Sequence, residues 1–222
     1  MKLIQRQGYL DFLRRNRNRP IVKVVSGIRR CGKSTLFRLF KDELLSEGVK
    51  PEQIISINFE ELEYEHLRDY HALYQYILER MQPDEMNYIF LDEIQHVDQF
   101  HRVVDSLFVK ENTDLYITGS NAYFMSSDIA TLLTGRYVKI QMLPLSFSEF
   151  YHSKYDGNQY SLIPAYESYL RESSFPYTQQ LGGEDFDIQE YLRGLYNTLL
   201  LHDVVARLKI SDVTILQDIV RY

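Results

Sequence analysis

The 222-residue chain has a single cysteine, Cys31. One thiol excludes an intrachain disulfide framework and any cysteine-based zinc cluster, and it fits a reducing, cytoplasmic setting. No apolar run approaches the roughly 18 residues that a membrane span needs. The opening "MKLIQRQGYLDFLRRNRNRP" is interrupted by charges and glutamine, so it does not read as a secretory signal. There is no G-x-S-x-G nucleophile elbow and no N-K-x-D guanine signature. His66 and His71, like His96 and His101, stand five apart rather than at the i, i+4 spacing of helical metal ligands, so the histidines read as structural or surface groups. The eighteen tyrosines are dispersed, which favours packing over base stacking.

What is present is a real core and an uneven charge. Apolar residues make up 45% of the chain and charged ones 25%, enough for a globular domain. Residues 1–41 carry twelve Lys/Arg and one acid, whereas residues 42–222 carry thirteen Lys/Arg and thirty acids. A basic block at one end suggests an anionic ligand. Arg14, Arg15, Arg17 and Arg19 fit a solvated helix face as well as a nucleic-acid contact.

Residues 3–15 have the spacing of an amphipathic helix, with Leu3, Leu10 and Leu13 on one face. "IVKVVS" is a β-branched strand, and "STLFRLFKDELLSEG" a helix stopped by Gly48. Further strands are expected at 54–59, 88–93, 115–120 and in "YVKIQM". Helical patterns lie between them at about 64–82, in "VDQFHRVVDSLFVKEN" and in "SDIATLLT". Such alternation predicts a parallel five-stranded sheet covered on both faces, an α/β three-layer fold. After "LPLSFSEFY" the alternation ends. "HSKYDGNQ" reads as a turn-rich break, and the remainder is helical, with a long candidate at about 187–210 and another from Asp212. The expected organisation is an N-terminal helix (1–19), an α/β domain (20–150) and a helical segment (151–222) that reads as the start of a truncated C-terminal domain.

Gly27-Ile28-Arg29-Arg30-Cys31-Gly32-Lys33-Ser34 matches G-x-x-x-x-G-K-[ST], preceded by a strand and followed by a helix. The glycines let backbone N–H groups turn toward a phosphate, and the helix adds its positive end. Lys33 supplies charge to the β- and γ-phosphates, the Ser34 hydroxyl can ligate Mg²⁺, and Thr35 extends the cradle. Cys31 reads as loop filler. "YIFLDE" is an apolar strand ending in Asp92-Glu93, at the edge where ligands collect in α/β sheets. Asp92 is the expected partner of Mg²⁺ and Glu93 the base for an attacking water. Glu60, Glu61 and Glu63 read as a solvated acidic loop. The extra strand "IISINF" between the two motifs favours the class with a catalytic glutamate beside the acidic strand end. Without a guanine signature, ATP is preferred over GTP. In that class the fourth strand inserts between the first and third, so Ser120 and Asn121 at its tip would face the γ-phosphate.

The set "GIRRCGKST", "YIFLDEIQ", "ITGSNA", "LLTGRY" and "LPLSFSEF" resembles the prokaryotic AAA-like P-loop ATPase family (AAA_14 type), whose members often carry a C-terminal domain of uncharacterised function. The likeness covers about residues 17–150. "SSFPYTQQL" and "YLRGLYNTLLLHDVVARL" resemble the start of the C-terminal region more weakly, with Ser173-Ser174 where the family often has Gly-Gly. The resemblance implies a catalytic role for Arg136, acting on the γ-phosphate of its own chain or of a neighbour in a homo-oligomer. A protein partner engaged through the C-terminal region is a further expectation. Two functional readings result: a Mg²⁺-dependent ATPase that drives a conformational change, or a nucleotide-gated switch that binds DNA or a partner with little turnover. A small-molecule kinase is disfavoured, because no arginine-rich lid over a second acceptor is visible.

Overall fold

A computed structural model describes residues 4–120, 133, 135–155, 160–181 and 185–198. The helix expected in "SDIATLLT", the part of the long helical candidate beyond Thr198 and the helix from Asp212 lie outside the described residues. Gln5–Leu143 form one compact unit, and the chain from Pro144 onward belongs to a second.

In the first unit five strands run parallel: β1 (Val22–Gly27), β2 (Ile54–Asn58), β3 (Asn87–Asp92), β4 (Thr113–Ser120) and β5 (Tyr137–Met142). Their order is β2-β3-β4-β1-β5, so β4 does insert between β1 and β3. Every residue of β1 and of β3 is buried, as expected of central parallel strands that are covered on both faces.

Side-chain alternation divides the core in two. Val24, Ile57, Ile89, Leu91 and Ile117 face α3 (Tyr70–Leu78) and α4 (Phe100–Phe108), which contribute Leu73, Ile77, Val103, Val104 and Leu107. Val25, Phe90 and Tyr116 face the other way, onto α1 (Gln7–Asn16) and α2 (Lys33–Ser46) through Leu10, Leu13, Leu36, Phe37, Phe40 and Leu44. Phe90 stacks on Tyr116 at 4.7 Å, and Phe37 meets Phe90 edge-on at 5.2 Å. Burying each such ring is worth about 1.5–3 kcal/mol, so this face anchors the helix that follows the glycine loop. The N-terminal helix shares that cluster and is therefore part of the same unit.

Two arginines of the basic block are paired with acids of the same unit. Arg14 makes a bidentate contact with Glu43 at 2.5 and 2.6 Å, and Arg17 pairs with Glu47 and reaches the Tyr88 hydroxyl at 3.3 Å. Glu43 lies on α2 and Glu47 is its C-cap. This pairing does not favour the nucleic-acid reading of these arginines.

At the amino-terminal edge of the sheet, Lys23 and Asp114 form a fully buried ion pair. Lys23 also donates to the Arg19 carbonyl at 2.9 Å. Asp114 additionally accepts from the Tyr116 hydroxyl at 2.7 Å and from the Asn18 N–H at 2.9 Å. Burial lowers the Lys23 pKa despite the pull of Asp114. The network fixes the "RNRNRP" turn to the sheet.

Two expectations need correction. The segment expected as one helix over 64–82 is a 3-10 stretch, Leu62–Arg68, followed by α3. The division falls where Asp69 caps α3, its carboxylate accepting from the Ala72 N–H at 2.9 Å. In the second unit, "HSKY" belongs to α5 (Phe147–Tyr155) rather than to a turn. There Phe147 packs edge-on against Tyr166 at 5.1 Å and Phe150 against Tyr169 at 5.3 Å, both tyrosines on α6 (Leu162–Glu172). Lys154 pairs with the buried Glu172. These contacts at i, i+3 and i+7 hold the helix through His152. A further helix, α7, spans Asp185–Thr198.

Candidate active site

The glycine loop links β1 to α2. Gly27 ends β1 where no other residue fits: a Cβ there would lie 2.5 Å from the Met142 carbonyl oxygen and 2.7 Å from the Cys31 sulfur. Arg30 (φ 62°) and Gly32 (φ 106°) both adopt the left-handed conformation, which turns the loop back on itself. Gly32 then caps α2 without any side-chain acceptor on the first N–H groups. These donors and the helix dipole favour an anion at this end.

Lys33 is buried in the turn. Its ammonium donates to the carbonyls of Gly27 (3.2 Å) and Ile28 (3.4 Å) and pairs with Glu93 at 3.0 Å. The loop and the acidic strand end, sixty residues apart in sequence at Lys33 and Glu93, therefore meet in one buried contact. Arg29 reaches Glu60 at 3.1 Å, so one residue of the expected acidic loop belongs to the rim of the site. Cys31 is buried, and burial raises its thiol pKa, which keeps it protonated and in keeping with a packing role.

β3 delivers Asp92 and Glu93. Burial pushes the Asp92 pKa up, opposed by hydrogen bonds from the hydroxyls of Ser34 and Thr118. Burial also raises the Glu93 pKa, but the Lys33 charge and a hydrogen bond from Gln95 outweigh it, and the net shift is downward. Glu93 therefore stays ionised and able to accept a proton. It has a left-handed backbone, φ 55°, which bends the chain sharply off the strand.

Thr118 ties the two acids together. Its hydroxyl donates to Asp92 and accepts the Glu93 N–H at 2.9 Å. The sequence reading missed this residue. The pairing Leu91↔Ile117 puts Thr118 beside Asp92, so the order of the strands was the signal that would have found it. Two other residues were missed. Gln95 donates to Glu93 at 2.6 Å. Arg6, buried, donates to the carbonyls of Cys31 (3.3 Å) and Leu143 (2.5 Å) and lies over the Tyr9 ring. It braces the back of the loop.

The donor set fits a nucleoside triphosphate with Mg²⁺. Ser34 and Asp92 offer hard oxygen ligands. No group of three or more His, Cys, Asp or Glu that could hold a metal by itself occurs among the described residues. Mg²⁺ suits that arrangement, since it commonly takes one or two protein oxygens and completes its shell with water and phosphate.

Ser120 is placed by its backbone alone, paired with Gly27 at the carboxyl edge of the sheet. Asn121 lies outside the described residues. Arg136 is not brought to the loop of its own chain. It precedes β5, its carbonyl accepts the Val22 N–H at 2.9 Å, and the register Val22↔Tyr137 to Gly27↔Met142 puts it about 20 Å from the carboxyl edge, at roughly 3.3 Å per residue. There it is half-exposed, 3.8 Å from Asp105 and over the Phe108 ring.

Strand order, glycine loop and acidic strand end define a P-loop NTPase domain of the AAA-like class. The family model AAA_14, described as an AAA domain, matches residues 19–151, and the chain belongs to that family. An uncharacterised protein of Haemophilus influenzae is 37% identical over 99% of this chain and 55% of its own length. An uncharacterised protein of Methanocaldococcus jannaschii is 31% identical over 86% of this chain and 44% of its own. The chain thus spans about half the length of the curated relatives it matches. Among solved structures, a Walker-type ATPase of Pyrococcus abyssi superposes with a TM-score of 0.59 at 15% identity, covering 94% of this chain and 77% of that one. Saccharomyces cerevisiae Hsp104 bound to casein gives 0.54 at 14% identity, covering 86% of this chain and 38% of that one. At these identities the likeness is one of fold. Among the described residues no helix is long and apolar enough to cross a membrane.

Proposed function

We propose that this domain binds Mg·ATP and hydrolyses it to ADP and phosphate, and that the cycle drives a conformational change. The observation that carries this is the buried contact of Lys33 with Glu93, beside an Asp92 carboxylate held by Ser34 and Thr118. A polyphosphate in the loop competes with Gly27, Ile28 and Glu93 for the Lys33 ammonium. Glu93, so released, accepts a proton from the water whose oxygen attacks the γ-phosphorus, and the bond to the β-phosphate oxygen breaks. Ser34 and Asp92 would hold Mg²⁺, which when bound neutralises developing phosphate charge. Thr118 holds the Asp92 carboxylate and the Glu93 backbone in fixed relation, and Ser120 and Asn121 are assigned to the γ-phosphate side.

The test is Glu93→Gln. Turnover should fall about a hundredfold or more, since a general base contributes 10²–10⁴, while calorimetric Mg·ATP affinity persists. Chelating Mg²⁺ should stop the parent enzyme. Equal rates in parent and variant would refute the assignment.

Arg136 is proposed to act on a neighbouring copy, because the sheet register keeps it from its own loop. Arg136→Ala and Glu93→Gln should each be slow alone. Mixed, they should regain part of the parent rate, as one supplies Glu93 and the other Arg136. Full turnover by Arg136→Ala alone would remove it from the mechanism.

A further inference from the structure

The "YIFLDEIQ" motif ends in a residue that the chemistry above does not use. Gln95 lies in the 3-10 turn Ile94–His96, directly after the acidic pair. Its Nε2 donates to Glu93 Oε2 at 2.6 Å. Its Oε1 is buried with no hydrogen-bond partner among the described residues. An ionised carboxylate only accepts, so the amide must present its NH₂ to Glu93, and that fixes the carbonyl as the unpartnered end. The side chain is not what holds the turn. The His96 N–H donates to the Glu93 carbonyl at 3.2 Å, and the Val97 N–H to the Ile94 carbonyl at 3.0 Å. A buried acceptor left open in a native turn calls for a reason.

Glu93 is gripped at both oxygens, Oε1 by Lys33 at 3.0 Å and Oε2 by Gln95. A polyphosphate would draw Lys33 away and free Oε1. Gln95 would then be the side chain still restraining the carboxylate.

Resting on the ATPase reading, we propose that Gln95 is a positioning residue for hydrolysis: its NH₂ anchors one oxygen of Glu93 so that the other meets the attacking water, and its free carbonyl accepts that water's second O–H. A water held by two acceptors directs its lone pair away from both. Restricting a reactant to one orientation in this way acts on kcat rather than on ground-state affinity.

The experiment compares the parent chain with Gln95→Met, which keeps the bulk, Gln95→Ala and Glu93→Gln. Turnover, Mg·ATP affinity by calorimetry and thermal midpoint are measured on each. Both Gln95 variants should lose about tenfold or more in kcat, the lower range of what an oriented proton acceptor contributes, while affinity stays with the parent and the midpoint falls only by the few degrees that one hydrogen bond to a charged group contributes. Parent-like turnover in both, with Glu93→Gln inactive, would overturn the proposal and leave the ATPase reading standing. A joint fall of kcat, affinity and midpoint would overturn it in favour of a structural role. If the parent itself does not turn over, the hydrolytic reading fails, and this assignment with it.

Discussion

Lys33→Ala should weaken Mg·ATP binding by roughly one to two orders of magnitude and also destabilise the fold, an unusual pairing for loss of one lysine. On the binding side, the variant loses a charge-assisted contact worth about 1.5–3 kcal/mol, roughly tenfold to hundredfold in affinity, and with it the arrangement of the loop carbonyls. On the folding side, Lys33 is the counter-ion of the buried Glu93. Removing one member of such a pair costs about 3–5 kcal/mol, because the other charge stays buried. The pH dependence has a definite sign. In the parent, the Glu93 pKa is held below its ordinary value, so its contribution to stability is present above the unfolded pKa and is lost as pH falls through the lower, folded one. In Lys33→Ala, burial is opposed only by the Gln95 hydrogen bond and the Arg29 charge, and the ionised carboxylate becomes a liability near neutrality. The gap in thermal midpoint between variant and parent should therefore be wide at pH 7 and close toward pH 4. Lys33→Ala/Glu93→Gln should recover much of the lost stability without recovering binding. A single variant that melts with the parent at pH 7 would mean that the two side chains are not paired in the folded protein.

Asp114→Ala should produce the largest loss of stability in the domain with no direct effect on nucleotide chemistry. The substitution leaves the fully buried Lys23 ammonium without its counter-ion and the Tyr116 hydroxyl and Asn18 N–H without their acceptor. The expected cost is about 3–5 kcal/mol, a large share of the 5–15 kcal/mol that typically holds a domain together. At roughly 2–4 °C per kcal/mol for a chain of this size, the midpoint should drop by about 10 °C. Tyr116→Phe removes one hydrogen bond and should cost about 1 kcal/mol. Lys23→Met/Asp114→Leu should return most of the stability, because well-packed apolar pairs often replace buried ion pairs without loss. Thermal melts of the four proteins decide the matter. A midpoint for Asp114→Ala within about 2 °C of the parent, under 1 kcal/mol on the same scale, would show that the network contributes little.

Much of the fold could be read from local pattern. The glycine loop was legible because Gly27 and Gly32 occupy positions that a side chain would obstruct or strain, and the strands because β1 is rich in valine and β3 carries the apolar run Tyr88–Leu91. Asp92 and Glu93 followed from the end of such a strand. Contacts across the sheet were not legible. Thr118 meets Asp92 only through the register of β4 on β3, and Arg6 reaches Cys31 from another element altogether. Charge counting registered the basic block, but it could not see that Glu43 on α2 and Glu47 at its C-cap reach Arg14 and Arg17. The reach of Arg136 was open to stricter reading. In a parallel sheet a residue that precedes a strand stands at the edge opposite a loop that follows one. Boundaries failed where a local feature competed with packing: Asp69 looked like a helix residue and acts as a cap, and "HSKY" looked like a turn and is held by an aromatic cluster.

The position of β4 has a mechanical consequence. It is hydrogen-bonded on one side to the strand that leads into the glycine loop and on the other to the strand that bears the two acids. Sliding it by even one residue would break both ladders and turn its inward side chains outward. Lys33 and the Asp92–Glu93 pair are thus mounted on a frame that resists shear, and any motion coupled to the γ-phosphate must travel through the loops at the strands' carboxyl ends.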